Sequence, residues 1–212
     1  MKKKSMIAVV AVVFALCFAI GGTLAWLIDT TSEVKNTFTV GDINIELWEH
    51  NYESDTLGSD TVTGNDNYKM IPGDTLPKDP YVIVKANSEA CWLFVKVEKS
   101  NNFDNFMTCD IADDWTQLTV DAEDNAITDL VYYRNVDATG DNDSNPLYIL
   151  ESNKVTVNEG VTKDKLSALT SEGVELPTLT FTAYAVQSDN VVDKNNNGTA
   201  ADEAWGIIAQ GN

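Results

Sequence analysis

The chain has 212 residues, 33 acids against 14 bases, a single histidine and a formal charge of −19. At 43% apolar and 22% charged it carries enough apolar side chain for a packed core, which excludes wholesale disorder. So acidic a chain repels phosphate, which argues against nucleic acid and anionic membrane surfaces as partners, and a lone imidazole, His50, argues against most zinc-hydrolase and triad chemistry.

The first residues differ from the rest. Lys2, Lys3 and Lys4 precede an unbroken apolar run from Met6 to Ile20. As a helix that run would span about 22 Å, short of the ~30 Å hydrocarbon core. Gly21-Gly22-Thr23-Leu24-Ala25 then supplies small residues at its exit. Basic head, apolar middle and small-residue exit describe a secretory signal peptide helix over residues 1–26, with the cleavage region at Ala25, Trp26 and Leu27. The alternative is an uncleaved anchor, extended through Leu24 to Ile28, and only this leader would touch a membrane. Cleavage removes three lysines and no acid, so residues 27–212 would carry −19 − 3 = −22. Cys17 leaves with the leader. Cys91 and Cys109 remain, either as a disulfide suited to an exported chain or as two buried thiols acting as small hydrophobes.

Beyond the leader the dominant period is two. Phe38 and Val40 alternate with threonines, Gly41-Asp42 interrupts, and Ile43, Ile45 and Leu47 resume in the opposite phase. Tyr81 to Lys85 and Cys91 to Val97 read as two strands of a hairpin across Ala86-Asn87-Ser88-Glu89. In the second, Cys91, Leu93, Val95 and Val97 share one face and Trp92 and Phe94 the other, the pattern of a central strand. Further strands are predicted at Leu130–Tyr133, Leu147–Leu150, Lys154–Val157 and Thr178–Val186. In the last, threonines alternate with apolar residues, as in a sheet with one wet face. Lys163–Thr170 and Ala200–Ala209 read as short helices, the latter opened by Thr199 with Asp202 three residues on. Ser54–Asn67 and Ala138–Asn145 are long polar loops. Residues 27–212 therefore read as one all-β domain, an antiparallel β-sandwich with one or two short helices.

Little in this chain points to catalysis. There is no HExxH, no second histidine and no phosphate-cradling glycine loop. Asp113-Asp114 and Glu123-Asp124 read as solvated loop charges. The one small ligand with a pattern is calcium. Asp193, Asn195 and Asn197, followed by Gly198 and the Thr199 carbonyl, match positions one, three, five, six and seven of an EF-hand-type loop. Ala204 stands at position twelve in place of the bidentate glutamate, with Asp202 and Glu203 nearby but out of register. A polar turn ahead of the helix is the alternative. Asp141, Asp143 and Asn145 repeat the alternation more weakly, with Pro146 where glycine belongs.

Three segments, in order, carry a resemblance. Gly21-Gly22-Thr23-Leu24-Ala25-Trp26-Leu27-Ile28-Asp29 is similar to the GGTxAxFxD junction of exported proteins processed by the SipW-type signal peptidase, although Leu27 and Ile28 stand where an aromatic is frequent. Asn36 to Ile43 resembles the TFxxGxL strand that follows such junctions, and Met70-Ile71-Pro72-Gly73-Asp74-Thr75-Leu76 the LxPGD turn. Over residues 1–99 the chain thus resembles the TasA/camelysin family of Gram-positive bacteria; beyond, the likeness is architectural. The resemblance implies a jelly-roll sandwich, secretion to the extracellular matrix or cell surface, and assembly with itself or other matrix proteins into biofilm fibres. The freed N-terminal segment, with Leu27, Phe38 and Val40, would add as a strand to a neighbouring subunit. If that segment pairs within its own sheet, the product is a soluble monomer serving as a surface or adhesion domain. Camelysin members described as metallopeptidases supply an enzyme alternative, against which the single His50 speaks. No catalytic residue, and no cofactor beyond the calcium candidate, is expected.

Overall fold

A nine-residue strand, Cys91–Lys99, runs through the interior of the largest sheet of the computed structural model, which describes residues 42–50, 69–170 and 174–211. The chain divides into two units, Met1–Val40 and Gly41–Asn212, and the described residues belong to the second. The signal peptide, its cleavage region at residues 25–27 and the strand predicted around Phe38 and Val40 lie outside the described residues.

In chain order the elements are β1 (Ile45–Trp48), β2 (Thr75–Pro77), β3 (Tyr81–Val84), β4 (Cys91–Lys99), helix α1 (Phe103–Phe106), β5 (Met107–Thr108), β6 (Thr116–Val120), β7 (Ala126–Val136), β8 (Leu147–Tyr148), β9 (Lys154–Val157), helix α2 (Lys163–Ala168), β10 (Leu179–Gln187) and helix α3 (Ala201–Gly211). They form three antiparallel sheets, ordered β1-β3-β8, β10-β4-β7-β6 and β2-β9-β5. The expected all-β class is therefore found, with short helices at its margins.

Alternation in β4 works as the pattern predicts. Cys91, Leu93, Val95 and Val97 join Val82 and Val84 of β3 in one buried cluster, against which Ile45 and Leu47 of β1 also pack. Phe94 lies on the opposite face with Leu118, Val131, Ala201 and Ala204, flanked by Trp92 and Trp205. The Phe94 and Trp205 rings sit 5.3 Å apart between centroids. A separate cluster of Phe103, Leu150, Val155, Val157 and Val161 closes the third sheet.

Two expectations need correcting. The hairpin between Tyr81–Lys85 and Cys91–Val97 is not formed, because β3 and β4 belong to different sheets. Their apolar faces are buried against each other across one cluster, so the turn at Asn87, with φ of 62°, carries the chain from sheet to sheet. The wet face predicted for Thr178–Val186 is wet only at one end. Thr180 is exposed, whereas Tyr184 and Val186 pack under α3, with the Tyr184 ring 5.6 Å from Trp205.

The Pro-Gly-Asp segment does make a turn. Asp74 N–H donates to Ile71 O at 3.0 Å, and Gly73 takes a φ of +83°, the left-handed geometry that a type II turn places after proline. Gly73 N–H and Val157 N–H then bond to Val157 O and Asp74 O at 3.0 and 2.8 Å, tying the turn to β9.

Phe94 is fully buried, so Phe94→Ala is expected to lower unfolding free energy by about 3–5 kcal/mol, mostly through the cavity left against α3. Thr180→Ala, on the exposed end of β10, should change it by less than about 0.5 kcal/mol. Urea titrations followed by tryptophan fluorescence compare the two.

Candidate functional site

The loop between β10 and α3 folds around its own carboxylates. Asp193 accepts from Asn197 N–H at 3.2 Å and Gly198 N–H at 2.9 Å, and Gly198 reverses the chain with a φ of +94°. Asn195 Oδ1 accepts from Asn197 N–H at 3.3 Å, and Asn197 Oδ1 from Thr199 N–H at 3.0 Å. Thr199 caps the helix through its hydroxyl, which accepts from Ala201 N–H at 3.1 Å. The predicted capping partner, Asp202, turns instead toward the loop: its Oδ2 accepts from Asn195 Nδ2 at 2.6 Å and Asn197 Nδ2 at 2.9 Å.

Counting along a twelve-residue loop leaves Asp202 out of register, yet α3 begins early enough that its first turn points this side chain at Asn195 and Asn197. Asp202 is fully buried and Glu203 nearly so, between the small core residues Ala201 and Ala204. Glu203 Oε1 accepts from Lys194 N–H at 2.6 Å. Burial pushes the Asp202 carboxyl up, but hydrogen bonding with Glu203, Asn195 and the backbone of the helix's first turn outweighs it and holds the group below its ordinary value. Asp124, expected to be a solvated charge, reaches the same loop from the β6–β7 turn and accepts from Asn195 Nδ2 at 3.0 Å.

The other candidate groups are separate from this loop. Asp143 accepts from Ala86 N–H at 2.8 Å and pairs with Lys85 Nζ at 2.6 Å, so the weaker Asp141–Asn145 alternation locks a turn to a lysine. His50 Nδ1 lies 2.5 Å from Oδ2 of the buried Asp79, and the neighbouring Lys78 Nζ bridges both oxygens of Glu49 at 2.7 Å. Among the described residues, no three His, Cys, Asp or Glu side chains gather as a metal-holding group. The 193–203 loop differs in kind, since it combines carboxylates with Asn amides.

Cys91 and Cys109 are free thiols. The disulfide alternative is not realised, because Cys91 faces the β3–β4 cluster while Cys109, after β5, packs with the third sheet. Burial pushes the Cys91 thiol up to about 11 and raises Cys109 as well.

The remaining feature is a sheet edge that no described strand pairs. At the two ends of the β10–β4 ladder, Ser100 N–H donates to Thr178 O at 3.0 Å and Ser188 N–H to Ala90 O at 2.9 Å. By the alternation of an antiparallel ladder, the even-numbered residues of β10 exchange hydrogen bonds with β4. Leu179, Phe181, Ala183, Ala185 and Gln187 therefore direct their backbone groups to the other side, where no described strand pairs. No sequence signal marked β10 as an edge; strand order is set by pairing partners far apart in the chain.

With a pKa near 11, Cys91 is roughly one part in a thousand thiolate at pH 8 and is also shielded. Iodoacetamide at that pH should leave Cys91 unlabelled in the native protein and label it in guanidinium, as read by peptide mass spectrometry.

Compared with protein-family models, curated proteins and solved structures, the chain matches none of them.

Proposed function

We propose that the chain is a secreted structural protein, a subunit of extracellular matrix fibres of the TasA kind, that assembles by N-terminal strand donation. A SipW-type signal peptidase cuts near Ala25, Trp26 and Leu27. The freed segment, with Leu27, Phe38 and Val40, then lies along a neighbouring subunit as an added strand. The observation that carries this reading is the β10 edge: nine residues long, ladder-bonded on one side only among the described residues, and apolar on the face it turns to the core. Such an edge is a template for a strand from another chain.

The other edge strands are poorer acceptors, since β1 has four residues, β2 three, β5 two, β6 five and β8 two. The β3 and β4 sheets share a buried cluster, an arrangement that suits the jelly-roll sandwich of the resembling family. Donor segment and acceptor edge are different surfaces, so contact between subunits is head-to-tail and propagates instead of closing. While the donor is joined to its leader at the membrane, assembly waits for export and cleavage.

The test compares chains beginning at Leu27 and at Asp42, followed by sedimentation over days. The longer form is expected to grow into large assemblies and the shorter to stay monomeric. Ala183→Pro in the longer form removes an N–H aimed at the open edge while sparing the β4 ladder, so the fold should survive and assembly should stop. Monomers from both lengths, or fibres from both, would overturn strand donation.

A further inference from the structure

Two carboxylates sit side by side in the interior where α3 meets the four-stranded sheet. Asp202 is 0% exposed and Glu203 6%, and each keeps one oxygen, Asp202 Oδ1 and Glu203 Oε2, with no hydrogen-bond partner. Buried acceptors are nearly always satisfied, and a buried ionised carboxylate without a counter-charge is costly. The positive end of the α3 dipole helps, but it leaves these two oxygens unmatched. Among the described residues no ion pair joins a lysine or arginine to either acid, and a charged side chain that the loop engages from the β6–β7 turn is another acid, Asp124.

The loop that meets the pair carries oxygen-bearing groups at alternate positions. Asp193, Asn195, Asn197 and Thr199 supply them at every second position of the loop, and Gly198 makes a sharp reversal whose N–H donates to Asp193. Asn195 and Asn197 both aim their amides at Asp202. For Oδ1 to stand where Nδ2 stands and meet a cation, each amide must turn and give up the bond that Asn195 Oδ1 or Asn197 Oδ1 accepts from Asn197 N–H or Thr199 N–H.

We propose that this loop binds a calcium ion, with Asp193, Asn195, Asn197, the Thr199 carbonyl and Asp202 as ligands and Glu203 as the adjoining counter-charge. Five or more oxygens of mixed carboxylate, amide and carbonyl type suit a hard cation of calcium's size better than magnesium, which demands a tighter octahedron. The ion offsets the charge of the orphaned carboxylates and ties the loop to the first turn of α3. Its position says that calcium holds α3 down on Phe94, Tyr184 and Val186. This inference stands independently of fibre assembly.

The test uses the full 212-residue chain, kept soluble in mild detergent and stripped with a chelator. Calcium added to about 1–10 mM at pH 7.5 should raise the melting temperature saturably, by about 5–10 °C at a hundredfold excess over Kd. Magnesium should do far less. Asp202→Asn and, as a surface change that leaves the core untouched, Asn197→Ala should each weaken the calcium response at least tenfold in concentration. Terbium luminescence excited through the protein's aromatic rings, and quenched by added calcium, reports the site even in a variant that melts early. A melting temperature indifferent to calcium, or a response unchanged in both variants, overturns the proposal. So does equal stabilisation by magnesium, and so does stability that ignores calcium but climbs on acidification, which would assign the pair a shared proton.

Discussion

A strand that is apolar on both faces cannot be satisfied by one neighbouring layer, and β4 is such a strand. Its Cys91, Leu93, Val95 and Val97 need a cover on one side, and its Phe94 needs another on the opposite side. Each such side chain is worth about 1.5–3 kcal/mol when fully buried, so leaving the four-residue face in water would cost about 6–12 kcal/mol, the size of a domain's whole margin of stability, and exposing Phe94 would remove a further part of it. The first face is closed by β1 and β3, drawn from the N-terminal part of the described chain. The second is closed by α3, drawn from its C-terminal end. The outline of the fold follows from that double demand.

Charge follows the same economy. Four of the described lysines pair with acids: Lys78 with Glu49, Lys85 with Glu46 and Asp143, Lys96 with Glu98 and Asp129, Lys99 with Asp104. Of these, Lys78–Glu49 is the least exposed, and its partners lie beside His50 and Asp79 at the mouth of β1. With 33 acids and 14 bases the supply of side-chain cations runs short, and the acids of the α3 turn are among those left over.

How much of this was legible beforehand depended on distance along the chain. Period two in Cys91–Val97 and Thr178–Val186 identified the strands and, for β4, both of its faces, because alternation is a local property. Lys154–Val157 and the two longer helices were equally plain. Which strands share a sheet was not: β3 and β4 are near neighbours in sequence, yet the burial of their apolar faces against each other outweighed the hairpin that a short linker suggests. β6 escaped notice because Leu118 is its one buried side chain in an otherwise polar stretch. The loop at 193–199 was visible as alternating oxygens, whereas the part played by Asp202 depended on where the helix begins, and that of Asp124 on a turn drawn in from the far side of β7. Residue type can be read from sequence; who faces whom is decided by packing.

The chain order of these pieces sets a clock. Strand β4 lies near the middle of the chain, but its hydrogen-bonding partner β10 and its covering helix α3 are the last two elements. Any process that delivers the chain N-terminus first, synthesis or passage through a membrane channel, leaves Phe94 and one edge of β4 in water until residues 179–211 emerge. Folding of the four-stranded sheet thereby waits for residues 179–211. A long-range pairing such as Leu179 with Lys99 is slow to find, so the interval before it closes is when the protein is most in need of a holding partner and most open to engaging the wrong one.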